Sequence, residues 1–142
     1  MKKVFVLLVS IVFVALLVGC RSKVTDKQIT LNMFGSTRTG TYTGEVEKDI
    51  PDGKGKFTTK NSAGKTWYYD GEFKNGAFNG KGIQEWPEGK LKYEGTYKDN
   101  VFITGKEYQD NKLVYEGGFG YEGTRSFREG QGKAYNTANG KS

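Results

Sequence analysis

The feature that most constrains the fold of this chain is a short pattern, Tyr-x-Gly-x-aromatic or aliphatic, that recurs after residue 41. Its copies begin at Tyr42, Tyr69, Tyr93 and Tyr115. A second element, Gly-x-Gly, follows three of the copies, at Gly53-Lys54-Gly55, Gly80-Lys81-Gly82 and Gly130-Gln131-Gly132. The third copy keeps Gly105 and lacks the second glycine of the pair. A period of about two dozen residues indicates stacked units that complete a shared core only together.

Each unit has the alternation of a β-hairpin. Around the second copy, Trp67, Tyr69, Gly71 and Phe73 share one face of a strand, and Tyr68, Asp70 and Glu72 share the other. Inward glycines leave room for a neighbouring ring to lie over the backbone. Turn residues separate the runs, at Ala63-Gly64, Asn75-Gly76, Pro87-Glu88-Gly89 and Asp110-Asn111. We therefore predict an all-β fold of serial antiparallel hairpins forming one elongated, twisted sheet of about eight strands.

These residues resemble the MORN repeat, a tyrosine- and glycine-containing hairpin unit, and the resemblance covers about Tyr42 to Tyr135. Val46 replaces the aromatic residue in the first copy, and the last copy carries a doubled motif, Tyr121-Glu122-Gly123. The fourth unit can therefore begin at Tyr115 with an insertion, or at Tyr121 with a shortened loop. The resemblance implies a binding or scaffold module, and contact with acidic lipid head groups has been proposed for this class.

Residues 1–19 have the layout of an export signal. Lys2 and Lys3 precede an apolar run, Val4 to Val18, which as a helix is about 22 Å long, short of the roughly 30 Å of a bilayer core. Leu17-Val18-Gly19-Cys20 resembles the lipobox of bacterial lipoproteins, which implies cleavage before Cys20 and a diacylglycerol on its thiol. We expect a cell-membrane, lipid-anchored protein facing outside the cytoplasm. An uncleaved anchor and a buried free cysteine are the alternatives.

Three regions follow from these patterns. Residues 1–19 are the signal peptide, 20–41 carry the lipidated cysteine and a polar tether, and 42–142 form the repeat domain. Ile29, Leu31 and Met33 alternate inside the tether and predict one embedded strand. The alternative interpretation of 20–41 is a plain spacer.

Composition excludes several chemistries. The chain has no histidine and one cysteine, so His-based nucleophile systems and Cys/His zinc sites are ruled out, and we expect no cofactor or metal. The net charge of +6 falls to +4 once Lys2 and Lys3 are removed, and no two basic residues are adjacent after the signal, which argues against nucleic acid as a partner.

Two further motifs could carry chemistry. Ala63-Gly64-Lys65-Thr66 resembles the end of a P-loop, but Thr59 stands where that motif needs its first glycine, so a turn is expected. Glu45, Glu72, Glu94 and Glu116 are assigned to equivalent repeat positions, typical of a solvated strand face. A glycosidase needs one carboxylate pair made different from the rest, and none is distinguished. We therefore predict no enzyme activity.

Five rings fall off the main period or near turns and are candidates for an exposed binding surface: Tyr68, Phe78, Trp86, Phe102 and Tyr108. The alternative is that they belong to the inward face of each second strand.

The leading hypothesis is a lipid-anchored, non-catalytic module that binds another envelope protein. A surface lipoprotein that binds cell-wall glycan is the alternative, followed by a carboxylate-based glycan hydrolase.

Overall fold

The computed structural model describes residues 20–33, 35–122 and 125–135, so the predicted signal peptide at 1–19 lies outside it. Nine strands form one open antiparallel sheet in which each strand pairs with its neighbours in the chain. The strands are β1 Ser22–Met33, β2 Ser36–Glu47, β3 Ile50–Lys60, β4 Thr66–Lys74, β5 Ala77–Glu85, β6 Leu91–Lys98, β7 Val101–Gln109, β8 Lys112–Glu122 and β9 Arg125–Ala134. The prediction of serial hairpins in an all-β sheet is confirmed.

Two-residue turns make most of the tight reversals. In four of them both central residues have positive φ: Lys48-Asp49, Asn75-Gly76, Asp99-Asn100 and Asp110-Asn111. Such turns match the right-handed twist of the strands that they join, which explains their frequency in hairpins. Asn75-Gly76 and Asp110-Asn111 were predicted from the sequence, whereas Lys48-Asp49 carries no glycine or proline to mark it.

The core lies on one face of the sheet and consists mainly of rings. Trp67, Tyr69 and Phe73 are buried on that face, as the alternation predicts, and Val46 is buried at the position where the first copy lacks an aromatic residue. The ring of Tyr69 is central: it stacks on Phe78 at 3.7 Å between centroids and meets the edges of neighbouring rings. Edge-to-face and offset pairs of this kind stabilise beyond the area that they bury.

Each regular unit places its first tyrosine over a glycine of the following strand. A Cβ added to Gly82 would lie 2.5 Å from Cζ of Tyr69, so that position has room for hydrogen alone. The phenol oxygen of Tyr69 then donates to the carbonyl oxygen of Glu72 at 2.9 Å. The same pair of contacts recurs in two other units, with Tyr42 over Gly55 and Tyr115 over Gly132. The fourth unit therefore begins at Tyr115 and contains an insertion, although Gly123 lies outside the described residues.

The Gly-x-Gly element forms a bulge. In the second unit Gly71 pairs with Gly82, and the next regular pair is Phe73 with Phe78. Gly80 lies between these two pairs, on the strand that carries the extra residues. In the third unit Gly95 pairs with Gly105. Gly105 is thus the counterpart of the second glycine, and the expectation that the second one is missing is wrong. The missing residue is the first glycine, and the bulge is shorter because of it.

The segment predicted as a tether is largely part of the sheet. β1 extends well beyond the three alternating residues, and Leu31 and Met33 are buried against the core. The pairing of β1 with β2 shifts between Val24 and Lys27, where Asp26 has a φ of 49°. This bulge hides the alternation, because it brings Val24 onto the core side, out of step with the residues that follow. An edge strand also tolerates polar residues, since half of its backbone groups and one face meet water.

The sheet coils, so that the turns at one end of its strands stack in a row. We call this row, formed by residues 48–49, 75–76 and 99–100, the tip edge; the connections at 61–65 and 86–90 form the far edge. The amide of Gly76 donates to the carbonyl oxygen of Pro51 at 2.8 Å, and that of Asn100 to Phe78 at 3.0 Å. The amide side chain of Asn100 also donates to the carbonyl oxygen of Asn32, which joins the third turn to β1.

Beside the tip edge, the backbone N–H at one repeat position finds a different hydrogen-bond acceptor in each unit, or is absent. In the first unit this position is Pro51, which has no N–H to satisfy. In the second unit the N–H of Phe78 donates to Oδ1 of Asn100 at 2.9 Å, and in the third the N–H of Phe102 donates to the phenol oxygen of Tyr121 at 3.1 Å. The doubled tyrosine motif thus supplies a hydrogen-bond partner that the repeat pattern alone does not provide.

The buried phenols predict a loss of stability at high pH. Burial raises the pKa of Tyr42 to about 12, helped by Glu45 and Asp52 nearby, and burial also raises the pKa of Tyr69 and Tyr97. A raised folded-state pKa gives stability that is fully present below the unfolded-state pKa of about 10 and is lost as the pH rises through the folded value.

We therefore expect the melting temperature to fall between about pH 10 and pH 12, with much of the phenolate absorbance at 295 nm appearing only as the sheet unfolds. All nine tyrosines titrating near pH 10 in a chain that keeps its native circular dichroism would contradict the packing described above.

Candidate functional site

A small cavity opens on the core face at the third, irregular unit. Its volume is about 200 Å³, and it lies between β5, β6 and β7 and the ends of β8 and β9. It is lined by Gln84, Trp86, Leu91, Tyr93, Asn100, Phe102, Tyr121 and Ser126. Phe102 is buried, whereas Trp86, Tyr93 and Tyr121 are only partly buried and pack against the edge of the core. We call these lining residues the aromatic pocket.

The irregular repeat explains why the pocket is there. In this unit a Cβ on Gly105 would meet the backbone of Glu94 and Gly95 first, instead of the ring of the unit's first tyrosine. Tyr93 stands over the neighbouring rings, with its centroid 4.9 Å from Phe102 and 5.7 Å from Trp86. A ring that is not pressed onto a glycine leaves part of its surface open.

The pocket combines ring faces with a few polar groups. The indole of Trp86 stacks nearly parallel to Trp67, with centroids 6.2 Å apart, so its orientation is held from one side. Gln84, Asn100 and Ser126 contribute amide and hydroxyl groups to the lining. Burial, then the charge of Glu107, raises the pKa of Tyr93, so its phenol stays protonated and can donate a hydrogen bond at neutral pH. The lining is about half apolar, and aromatic rings beside a small number of placed polar groups are typical of binding sites.

The structure brings two of the five predicted rings, Trp86 and Phe102, into this pocket. The expectation that Phe78 and Phe102 are exposed is wrong, because each is 2% exposed. A two-residue turn places Phe78 opposite Phe73 and puts both rings on the core face. The alternative considered from the sequence, the inward face of the second strand, describes both residues.

Tyr68 and Tyr108 lie on the other face of the sheet, and lysines cover both rings. The ammonium group of Lys56 lies 4.1 Å from the ring centroid of Tyr68, and that of Lys92 lies 4.1 Å from Tyr108. The phenol of Tyr68 donates to Oε2 of Glu85 at 2.8 Å; burial, then this bond, raises its pKa to about 12. These rings already have partners within the sheet.

The outer face, opposite the core, is a lattice of alternating charges. Cross-strand neighbours carry opposite signs in the pairs Lys23 and Glu45, Lys54 and Glu72, Lys56 and Asp70, Glu85 and Lys92, Glu94 and Lys106, Lys106 and Glu116, and Glu116 and Lys133. Opposite charges at such positions stabilise the sheet modestly and cancel one another's field at a distance. The outer face therefore has no broad region of one sign among these strands.

The four repeated glutamates do not occupy equivalent positions, contrary to expectation. Glu45 and Glu72 lie beside the bulge glycines, and Oε2 of Glu45 accepts from the amide of Lys54 at 2.7 Å. Glu94 and Glu116 belong to the cross-strand lattice and face Lys106. All four have a lysine as a cross-strand neighbour, but Glu45 also binds the backbone of the bulge and Glu72 packs beside Gly80.

The remaining sequence motifs have structural explanations. Ala63-Gly64 forms the predicted turn, and Lys65, next to it, pairs with Glu88 at 2.7 Å. Cys20 is exposed. Within 20–33, 35–122 and 125–135, no helix is long and apolar enough to cross a membrane. In the same ranges no cluster of three or more acidic or sulfur ligands is placed to hold a metal ion.

Sequence reasoning missed Tyr93 and Tyr121 as pocket residues. Tyr93 opens a repeat, which predicts a core position, and Tyr121 belongs to a doubled motif that by itself predicts no pocket. Both stand where the pattern departs from its norm: the third copy lacks a glycine, and the fourth has an extra tyrosine. Departure from the repeat was thus the signal that could have located the pocket.

Comparison with protein families gives one match. The MORN repeat model matches residues 42–63 and 69–90. The chain therefore carries MORN repeats at these two positions, and β6 to β9 continue the same sheet beyond them. MORN repeats are generally non-catalytic and are consistent with a protein-binding or scaffold role. A comparison with curated proteins finds no significant match.

Proposed function

We propose that this chain is a lipid-anchored, non-catalytic binding module that faces outside the cytoplasm and holds another envelope protein on its sheet. The observation that carries the binding role is the aromatic pocket, where three partly buried rings surround an open cavity. Buried aromatic anchors in pockets supply most of the affinity at protein interfaces.

The size of the pocket favours one inserted side chain. Sites for drug-sized ligands enclose about 300 to 1,000 Å³, whereas this cavity has about 200 Å³. Two larger depressions, of about 510 and 600 Å³, differ in lining: the second is mainly polar, whereas the first is lined by polar and apolar residues in equal number and contains no aromatic ring. A partner that inserts one apolar or aromatic residue between Trp86 and Tyr121, and covers the surrounding strands, fits this geometry.

The proposed location of the protein at a membrane is argued from its sequence. The basic start, the apolar run and the small residue before Cys20 support export and lipidation, and the exposed Cys20 leaves its thiol accessible for that modification. A diacylglycerol together with a further acyl chain would hold the chain stably at a membrane.

The test is cross-linking of intact cells that carry the tagged full-length protein, with mass spectrometry of what is captured. Trp86→Ala should reduce the yield of the dominant captured envelope protein by about tenfold or more, since removal of a central ring commonly costs at least 2 kcal/mol. Tyr108→Ala, which removes a ring from the outer face, should change the yield less than about twofold. Equal yields from Trp86→Ala and the unmodified chain would reject the pocket as the binding site.

A second candidate is recognition of cell-wall glycan. The observation that favours it is the presence of Gln84, Asn100 and Ser126 beside the Trp86 and Tyr93 rings, because sugars offer hydroxyl groups to amides and apolar faces to rings. Retention of the protein on purified wall material, lost in Trp86→Ala, would support this function. Passage of the unmodified protein through that material without delay would reject it.

A further inference from the structure

We propose that the tip edge of the sheet lies against the lipid head groups, with no flexible spacer between the lipid on Cys20 and the folded domain. This inference rests on the proposed lipidation of Cys20. It concerns the surface that meets the membrane, and it follows from where the chain next to Cys20 is held.

The residue after Cys20 is bound to the sheet. Nε and Nη2 of Arg21 donate to Oδ1 of Asp52 at 3.1 and 2.6 Å. The carboxylate of Asp52 is 1% exposed and also accepts from Nζ of Lys74 at 3.0 Å and from the amide of Asn75 at 3.2 Å. We call these four residues the Asp52 cluster. Consecutive Cα atoms are about 3.8 Å apart, so Cys20 is held within one residue of the cluster.

The Asp52 cluster belongs to the tip edge. Asn75 is the first residue of the second turn, and Gly76 beside it is bonded to Pro51. β1 begins immediately after Arg21, with Ser22 paired to Val46 near the first turn. The lipid would therefore leave the protein at this edge, and the sheet has no polar segment in which to swing away from it.

The tip edge has side chains suited to a membrane surface. Ile50, next to the first turn, is 50% exposed. Lys48 lies in the first turn and Lys98 precedes the third, whereas Lys74, before the second, pairs with Asp52, and Glu47 stands before the first. Lysines near head groups attract acidic lipids and exposed apolar residues enter the interface. Asp49 and Asp99 lie in the same turns and moderate the attraction, so the position of Cys20, more than charge, selects this edge.

The arrangement would orient the sheet. Strands of this length extend about 30 Å from the tip edge to the far edge, at about 3.3 Å per residue. Trp86 stands at the start of the far-edge connection 86–90, so its end of the aromatic pocket would face away from the bilayer, whereas Asn100, at the other end, belongs to the tip edge. A partner could then approach from outside the membrane.

The test measures energy transfer from a fluorophore on the sheet to a rhodamine head-group lipid in vesicles of neutral and acidic phospholipid. Full-length lipidated protein is labelled at one introduced thiol, because the native Cys20 thiol is blocked by its lipid. Lys98→Cys places the label on the tip edge and Ser62→Cys places it on the far edge; both positions are exposed. The tip label should transfer at least about threefold more efficiently, given the roughly 30 Å between the edges.

A second comparison tests the Asp52 cluster. Arg21→Ala removes the bond to Asp52 but leaves Lys74 and Asn75 on that carboxylate and Ser22 paired with Val46, so the difference between the two labels should shrink without vanishing. Lys23→Ala, which removes an exposed cation two residues further along the chain, should leave the difference unchanged. If Arg21→Ala fails to fold, the comparison of the two labels in the otherwise unmodified chain still decides.

The outcomes separate the two proposals. Mass spectrometry of the N-terminal peptide shows whether Cys20 carries lipid; an unlipidated Cys20 overturns the proposed anchoring and this inference with it. A lipidated protein with equal transfer from both labels overturns this inference alone and leaves the anchoring intact.

Discussion

Gly82→Val is expected to destabilise the sheet by about 3 kcal/mol or more, which corresponds to a fall in Tm on the order of 10 °C. The ring of Tyr69 covers this glycine, and a Cβ there would lie 2.5 Å from Cζ of the ring. Tyr69 is fully buried and touches Phe73, Phe78 and Tyr97, so the ring cannot move without displacing its neighbours. The bond from its phenol to Glu72 would be lost as well, at a cost of about 1 kcal/mol.

The matched control for this prediction is Lys81→Val, one residue away on the outer face. Its side chain is exposed and pairs across the sheet with Thr96, so the loss should be below about 1 kcal/mol. Urea unfolding of both variants, followed by tryptophan fluorescence, measures the difference. Equal midpoints would mean that Tyr69 does not lie on Gly82 and that the facing of the second hairpin is misassigned.

Gly71→Val should behave like Gly82→Val. A Cβ on Gly71 would lie 2.5 Å from the Cα of Gly82, so two strands would be forced apart. Comparison with Glu72→Val, the neighbour on the other face, is less clean than the sequence suggests. The side chain of Glu72 packs beside Gly80 in the bulge, and its loss disturbs backbone as well as surface.

Local periodicity predicts the parts of this fold that depend on it. The face shared by Trp67, Tyr69 and Phe73 follows from alternation with period two, and the space over Gly82 follows from the alternation of glycine and rings. The same reasoning places a strand at Ile29 to Met33. It stops short of the rest of β1, because the bulge at Asp26 shifts the alternation and the residues before it are polar.

Features that depend on the coil of the sheet could not be read from the repeat. The stacking of turns along the tip edge requires the three-dimensional path of the strands, and so does the bond from Asn100 to Asn32 across the sheet. The burial of Phe78 and Phe102 depends on turns of two residues, and the turn at Asp99-Asn100 was not among those predicted. The aromatic pocket arises from one missing glycine together with one extra tyrosine, which are far apart in the sequence.

Asp52 is the clearest residue that the sequence does not reveal. It follows Pro51 in a polar stretch with nothing to distinguish it from the other acids, yet its side chain is 1% exposed. Burial by itself raises the pKa of a carboxyl group, but the bonds from Lys74, the amide of Asn75 and Arg21 outweigh that effect and hold the pKa of Asp52 below its usual value. The carboxylate therefore stays charged and joins the residue before β1 to β3 and the second turn.

Asp52→Ala is expected to lower the free energy of unfolding by about 2 to 3 kcal/mol at neutral pH. Removing one member of a buried ion pair commonly costs about 3 to 5 kcal/mol. The expected loss here is smaller, because Arg21 and Lys74 are about half exposed and can turn towards water. The amide of Asn75 also loses its acceptor, at about 1 kcal/mol. Lys90→Ala, which breaks an ion pair exposed on both sides at a residue with ordinary backbone angles, should have a far smaller effect.

The pH dependence separates the charge of Asp52 from its shape. A lowered folded-state pKa gives stability that is present above the unfolded-state value, near pH 4, and is lost as the pH falls through the folded value. Asp52→Asn keeps the size of the side chain and removes that titration. Its free energy of unfolding should therefore decline less steeply than that of the unmodified chain between about pH 4 and pH 2. Parallel declines in urea titrations over this range would show that the charge on Asp52 does not stabilise the start of the chain against the sheet.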